Sequence, residues 1–544
     1  MAMAYANIIT IKKKNSKTNN ITFMKQVITR MLMLIVVLST TLSALSYDFE
    51  VDGLYYNVVS LENLTCEVTC SDNNEMKYRG IINIPSEVTY KGRKLDVIGI
   101  STSAFSDCDQ LKEVALPRSI ISIGSNAFKC CYNLEKINLP STISSLGESA
   151  FEDCYNLKLV NIPSALTKLS SRLFEGCLAL KELVIPANIK SIGEEVFIYS
   201  GIEKCIIENS DESIQLEGAL ASSNDLVNSG SFSGTEIKYL YLGRNFTKAY
   251  PSFNDYFFSP FLNVDSLEEV VIGGLVTELP ANTFVKVSSI AYDHTHQLLY
   301  YKPLPNLTRI TFKESPNELN FITGIWGGRS SHNYDEYIKD LGNVRKFILE
   351  RDLNWETHIG NLGNLSLFKT IEEAVLIKEC TIVNKNMFKE CTHLRTIVLG
   401  DNITNIKNGS FERTDSLLNI QLMAKNPPGF TGTPEFSNNQ YLNAKLYVPM
   451  NSLENYKCAE IWKDFWNIEE MDFSGMENIN YNFEISIKVK DGSIVIINKK
   501  DFSPVRIYSL QGQLIKETRE SEISGLPCGL YIVTIDNDSF KVVL

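Results

Sequence analysis

Phenylalanine recurs at Phe105, Phe128, Phe151, Phe174 and Phe197, each 23 residues after the one before. Other columns keep the same step. Leu111, Leu134, Leu157 and Leu180 form one, and Val114, Ile137, Val160 and Leu183 the next. Leu116, Leu139, Ile162 and Ile185 follow, each with a proline behind it (Pro117, Pro140, Pro163, Pro186), then Ile120, Ile143, Leu166 and Ile189. A unit of this length cannot bury its own apolar face, so neighbouring coils must stack into one continuous core. The pattern predicts a mostly β repeat solenoid with units of 23 residues and short parallel strands.

Within each unit, L-x-x-I-x-L-P reads as a short strand. Ile137 and Leu139 point inward on alternate positions, Lys136 and Asn138 outward. The proline has no N–H to give a ladder and ends the strand. The next segment, I-x-x-I-G-x-x-A-F-x-x-C, brings a turn at Gly124, Gly147 or Gly193 and a phenylalanine plug. A solenoid works through its exposed strand face. The candidate ligand-facing residues are therefore Glu113, Ala115, Lys136, Asn138, Leu159, Asn161, Glu182 and Val184. They mix charge, amide and aliphatic groups, which suits a protein or a glycan better than a charged polymer.

The repeat resembles the BspA-like leucine-rich repeats of bacterial surface proteins, with a unit of the form L-x-x-L-x-L-P-x-x-l-x-x-I-G-x-x-A-F-x-x-C. The likeness is carried by Ser103 to Gly193, and the register returns at Phe388 and Phe411 with Cys391, Leu394, Ile397, Leu399, Ile403 and Ile406 in their columns. It implies a leucine-rich-repeat surface adhesin, with host extracellular-matrix proteins such as fibronectin and fibrinogen among the targets. The expected layout is regular repeats over 86–208 and 380–425, with degenerate repeats and insertions over 209–379. A separate domain inserted in that middle stretch stays open as an alternative. Its exposed aromatics (Trp326, Tyr334, Tyr337) offer a second contact zone.

Residues 1–46 read as a leader with a secretory signal peptide. Lys25 and Arg30 precede an apolar core from Met31 to Leu38, small residues close it at Ser46, and Met24 offers an alternative start. The apolar core falls short of the roughly 20 residues that span a bilayer, so a secreted or outer-surface protein that does not cross the membrane is expected. Residues 47–85 are expected to cap one end of the array. Residues 426–475, with N-P-P-G-F, Leu446-Tyr447-Val448-Pro449 and Ile461-Trp462-Lys463-Asp464-Phe465, are expected to cap the other. Over 476–544, six short alternating segments punctuated by Asp491-Gly492, Gln511-Gly512 and Asn537-Asp538 predict a small β-sandwich. Its S-P-V-R-I-Y-S-L-Q-G-Q-L-I-K and G-L-P-C-G-L-Y-I-V runs resemble the C-terminal sorting domains of type IX secretion in Bacteroidetes, which implies an export machine as a partner. The alternative is a plain β-sandwich that serves another surface partner.

The formal charge of −12 argues against nucleic acid, whose phosphates call for a basic stripe. Asp293-His294-Thr295-His296 holds the only close histidine pair, without a third ligand at a telling spacing, so no metal is expected. Neither a nucleophile motif nor a phosphate-cradling glycine loop appears, and no enzyme and no cofactor are expected. Cys108, Cys131, Cys154, Cys177 and Cys391 share one column, which takes Ser200 and Thr414 elsewhere. That reads as a ladder of buried thiols, since disulfides within it would distort the coils. The function expected is an adhesin or protein-binding module. The alternative is a glycan-binding accessory protein.

Overall fold

The computed structural model describes residues 47–543 except 72–77, 159–160, 218–229, 249–259, 262–263, 278–283, 293–296, 316–318, 321–342, 355–369, 434, 475–485, 491–492, 498–504, 510–513, 519–521, 525, 528 and 536–537. The leader, Leu159, Trp326, Tyr334, Tyr337 and the histidine pair at 294 and 296 thus lie outside the described residues. The chain forms two compact units. The first runs to Leu267 and takes in Asn282–Ile290; the second comprises Glu268–Ala281 and Ala291–Leu544.

The first unit opens on an antiparallel cap of Phe49–Val51, Leu54–Ser60 and Thr65–Thr69. Thr65–Thr69 then pairs in parallel with Arg93–Ile100, and that strand with Ser122–Ile123. The strand face is built from Gly80–Asn83, Leu111–Ala115 and Lys136–Asn138, and from Glu182–Ile185, Lys204–Ile207 and Tyr239–Leu242, all parallel to their neighbours. On the opposite wall Lys168–Leu169, Ser191–Ile192, Ile214–Leu216 and Phe246–Lys248 pair in the same sense. Leu111, Val114, Ile137, Leu139, Leu183 and Ile185 are buried, and Lys136 and Asn138 are exposed, as the alternation requires.

The phenylalanine column is a continuous ring stack. Phe105, Phe128, Phe151, Phe174 and Phe197 follow one another at 4.9 to 5.9 Å with ring planes within 10° of parallel. Phe232, Phe261 and Phe284 continue it. Tyr78 of the cap meets Phe105 at 4.5 Å, and its hydroxyl donates to the Thr69 carbonyl and accepts from the Tyr55 amide. A turn follows the repeat glycines, the Gly124 carbonyl accepting from the Ala127 amide at 3.3 Å, but the turn's φ angles are not what calls for glycine. Gly124, Gly147 and Gly193 do not adopt a positive φ. A Cβ on Gly124 would instead stand 2.5 Å from the Thr102 nitrogen, and one on Gly193 2.6 Å from the Ser171 nitrogen. Glycine is there because successive coils approach backbone to backbone.

In the second unit, Glu269–Ile272, Arg309–Phe312, Lys346–Arg351, Glu373–Glu379, Thr396–Leu399, Asn419–Leu422, Lys445–Pro449 and Asn467–Met471 form an unbroken parallel run. Strands from the irregular middle thus keep the ladder of the regular repeats. A buried arginine tidies each unit where spacing breaks. Arg244 donates to the carbonyls of Pro186, Ala187 and Ile189, and Arg351 to those of Gly273 and Gly274. Burial lowers the Arg351 guanidinium to about 10.

Phe388, Phe411 and Phe436 stack at 5.9 and 5.0 Å, and the end of that stack meets Trp462 and Phe465. The Trp462 indole donates to the Pro428 carbonyl, and the Tyr456 hydroxyl to that of Ala424. A capping box at Ser437 and Gln440 starts the short helix Asn438–Asn443. Beyond it, Ser486–Lys490, Ser493–Ile497 and Glu522–Ile523 form one antiparallel sheet. Leu514–Thr518, Val505–Ser509, Leu530–Ile535 and Asp538–Val543 form another. Both contribute to one core of Ile494, Ile523, Val505, Ile507, Tyr531, Val533 and Val542. The molecule is a mostly β leucine-rich-repeat solenoid with a small C-terminal β domain.

Candidate functional site

The strand face of the first unit carries two outward rows. Glu113 and Lys136 head the first, and their side chains form an ion pair of 2.7 Å. Glu182, Lys204 and Tyr239 continue that row on parallel strands. The second row holds Ala115 and Asn138, paired across two strands, and then Val184, Ile206 and Tyr241. Ala115, Asn138 and Glu182 are exposed; Glu113, Val184, Lys204, Ile206, Tyr239 and Tyr241 are half-buried. Asn161 is exposed too, yet its amide is engaged. It donates to the Leu139 carbonyl at 2.7 Å and accepts from the Leu139 amide at 3.2 Å, so it closes a backbone rather than reaching for a ligand.

Charges flanking these rows are spent on each other. Lys158 pairs with Glu135 at 2.7 Å, and Glu203 sits between Lys181 at 3.1 Å and Lys238 at 2.8 Å. Hydrogen bonds from Lys238 and Lys181 hold the Glu203 carboxyl below the usual carboxylate range. Such exposed pairs add little stability, but they leave the face without a strong field of either sign. The half-buried Val184, Ile206, Tyr239 and Tyr241 supply its apolar and aromatic part, and the Tyr241 hydroxyl donates to Asn209 at 2.9 Å. Burial raises the Tyr241 phenol.

Sequence reasoning found the rows only as far as Val184. The next two strands escaped it because the step changes: Leu183 pairs with Cys205 and Cys205 with Leu240, steps of 22 and 35 residues. The alternation K-C-I-I and Y-L-Y-L is the signal that locates them.

The second unit presents a different face. Its outer row is again charged and paired, Arg309 with Glu269 at 3.6 Å and Lys346 with Glu373 at 2.9 Å. Its middle row (Val271, Thr311, Ile348, Val375 and Val398) is buried. Glu350, fully buried beside that row, pairs with Lys313 and Lys378, each at 3.1 Å.

The cysteine column is buried as expected at Cys108, Cys131, Cys154, Cys177 and Cys391. Cys131, Cys154 and Cys177 each donate to a phenylalanine carbonyl one coil back (Phe105, Phe128, Phe151) at 3.0 to 3.3 Å. Desolvation pushes these thiols well above their ordinary range, and Cys391 up to about 12. Among the described residues, no group of three or more His, Cys, Asp or Glu side chains is disposed to hold a metal ion. No helix among them is long and apolar enough to cross a membrane. His393 is exposed, and the neighbouring Thr392 hydroxyl lies 3.4 Å from its Nδ1.

Two segments, 82–203 and 366–490, match the model of the BspA type leucine rich repeat region, in six copies. No curated protein matches the chain. Among solved structures, a leucine rich cell surface protein from Faecalibacterium prausnitzii is 17% identical, covers 72% of this chain and 96% of its own, and has a TM-score of 0.36. A leucine-rich repeat protein from Bacteroides ovatus is 18% identical over 78% of this chain and all of its own, with a TM-score of 0.22. The pneumococcal vaccine antigen PcpA is 14% identical over 78% and 97%, with a TM-score of 0.28.

Proposed function

We propose that this chain is a secreted or cell-surface protein that binds a protein ligand through the strand face of its first unit. The observation that carries the reading is the make-up of that face. Glu113, Ala115, Lys136 and Asn138 stand on one set of parallel strands, and Glu182, Val184, Lys204, Ile206, Tyr239 and Tyr241 on another, in the same two outward rows. Aromatic and aliphatic groups ringed by self-paired charge are what protein interfaces use as anchors. Pre-ordered strands also lower the entropy lost on binding. The resemblance to adhesins, the matching repeats and the signal-like leader support a host matrix protein as ligand, with the C-terminal β domain addressing the export machine.

The glycan alternative gains nothing from the exposed tyrosines. Tyr132 and Tyr155 lie off the strand rows and stack on each other at 4.9 Å, so each ring face that a sugar would need is already covered on one side. The test is an array of fibronectin, fibrinogen, mucins and polysaccharides probed with the full chain. Saturable binding to a protein, weakened by charge reversal at Glu113, Lys136 and Glu182, supports the reading. Binding to polysaccharide alone refutes it in favour of the glycan alternative.

A further inference from the structure

One edge of the first unit, where each coil turns from its phenylalanine toward its strand, sets apolar side chains in water. Tyr132, Tyr155 and Leu178 share one column on three successive coils, and Tyr199 stands on the next coil, two places earlier in the unit. The four are between 39% and 52% exposed. Their coils are in register: the Asn133 and Asn156 amides donate to the Asp109 and Tyr132 carbonyls, and the Ala179 amide to the Tyr155 carbonyl. Single exposed apolar residues are ordinary, whereas a row on adjoining coils marks a contact surface. The rings are also held in place. Tyr132 and Tyr155 stack at 4.9 Å, and the Tyr132 hydroxyl is hydrogen-bonded with the Cys130 thiol. Tyr199 lies against Gly234, where a Cβ would stand 2.9 Å from its ring.

The charge beside these side chains is negative. Asp109 occupies the Tyr132 column one coil earlier, and Asp153 stands two residues before Tyr155, whose phenol its charge raises. Among the described residues neither Asp109 nor Asp153 takes part in an ion pair. The lysines of the flanking turns are engaged elsewhere. Lys129 pairs with Glu152 and Lys158 with Glu135, each at 2.7 Å, and Lys181 with Glu203 and Glu236 at 3.1 and 3.3 Å, while Lys112 adds its charge beside Glu135. Tyr155 covers one face of the Tyr132 ring. The other turns toward Asp109, whose short side chain cannot stack on it. An open ring face and an unpaired carboxylate therefore stand one coil apart, roughly 5 Å. A cation is drawn to both, to the ring from within roughly 6 Å of its centre. A guanidinium suits the place better than an ammonium, because its plane lies on the ring while its edge donates to the carboxylate.

We propose that this edge is a second binding surface, for an arginine-bearing segment of another protein, with a guanidinium on the open face of Tyr132 against Asp109. A further cation of the segment meets Asp153, and its apolar side chains cover Tyr155, Leu178 and Tyr199. The surface lies off the strand rows, so it does not rest on the strand-face ligand, and its test uses none. Full-length protein is titrated into a fluorescein-labelled peptide of alternating arginine and glycine, read by fluorescence anisotropy. Saturable binding is expected, and a peptide with citrulline for arginine, of the same shape but neutral, should not bind. Asp109→Asn with Tyr132→Ala should weaken binding by about tenfold or more. Both side chains are exposed, and the Asn133 bond is to the Asp109 backbone carbonyl, which asparagine also offers, so the melting temperature should not move. Tyr132→Ala alone leaves every charge in place and should weaken binding by about threefold. Asp415→Asn with Glu460→Gln removes two exposed carboxylates from the second unit, which controls for the acidity of the whole protein. That pair should change the affinity by less than about twofold. Equal binding of the citrulline peptide, an equal loss from the second-unit pair, or no effect of Tyr132→Ala overturns the proposal.

Discussion

At the scale of single residues, the repeat is held by side chains that serve the next coil rather than their own. The thiols of Cys131, Cys154 and Cys177 reach back to phenylalanine carbonyls, and the Asn133 and Asn156 amides donate to the Asp109 and Tyr132 carbonyls one coil earlier. Serine and threonine fill the same column without repeating that bond: the Thr414 hydroxyl donates within its own coil to the Phe411 carbonyl, and the buried Ser200 hydroxyl has no partner among the described residues, so the column asks first for a small side chain. The raised thiol pKa values carry a pH dependence with a definite sign. In the unfolded chain these thiols ionise near 8.5, whereas Cys391 in the folded protein waits until about 12. The native state therefore keeps protons that the unfolded state releases between those values, and stability, complete below the unfolded pKa, falls as pH rises through that window. Urea titrations at pH 8 and pH 10.5 should show the fall, and Cys391→Ser should make it smaller. At pH 8 a thiol reagent should label the exposed Cys458 and leave the ladder unlabelled until the protein unfolds. Gly147→Ala is expected to cost about 1–3 kcal/mol, because the new methyl would run into the backbone of Ser125 and Gly124. A chemical-denaturation midpoint that does not move would contradict the close-approach role.

At the scale of elements, the array ends where aromatic caps take over the phenylalanine stack. Trp462 is fully buried against Phe436, Phe430 and Phe465. Trp462→Ala should therefore cost about 3–5 kcal/mol and lower the melting temperature more than Trp466→Ala, whose side chain is exposed. The regular coils were legible in the sequence because one bulky residue type marks each turn at a fixed step. The strands Lys204–Ile207 and Tyr239–Leu242 were not, because the step shortens by one residue into the first and lengthens by twelve into the second while the pairing stays intact. The buried middle row of the second unit also left a trace that an alternation rule overlooks. Phe347-Ile348-Leu349, Ala374-Val375-Leu376-Ile377 and Ile397-Val398-Leu399 are unbroken apolar runs, the pattern of strands buried on both sides. Asn161 also serves the coil before it. Its position is outward by phase, but the coil before it needs a backbone partner and takes the amide.

At the scale of the whole molecule, the two units present different strand faces. The first has Ile206, Tyr239 and Tyr241 half-buried among paired charges; the second has its corresponding row buried. A ligand should therefore be lost through substitutions on the first unit and be indifferent to polar substitutions on the second unit's outer row, such as Thr396→Ala. The measurement that tests this most directly compares full-length proteins binding to immobilised fibronectin and fibrinogen by surface plasmon resonance. Ile206→Ala with Tyr241→Ala should weaken binding by about tenfold or more, while Tyr132→Ala with Tyr155→Ala, which removes the off-face pair, should leave it unchanged. Loss of binding in the second pair with none in the first would contradict the account and move the ligand away from the strand face.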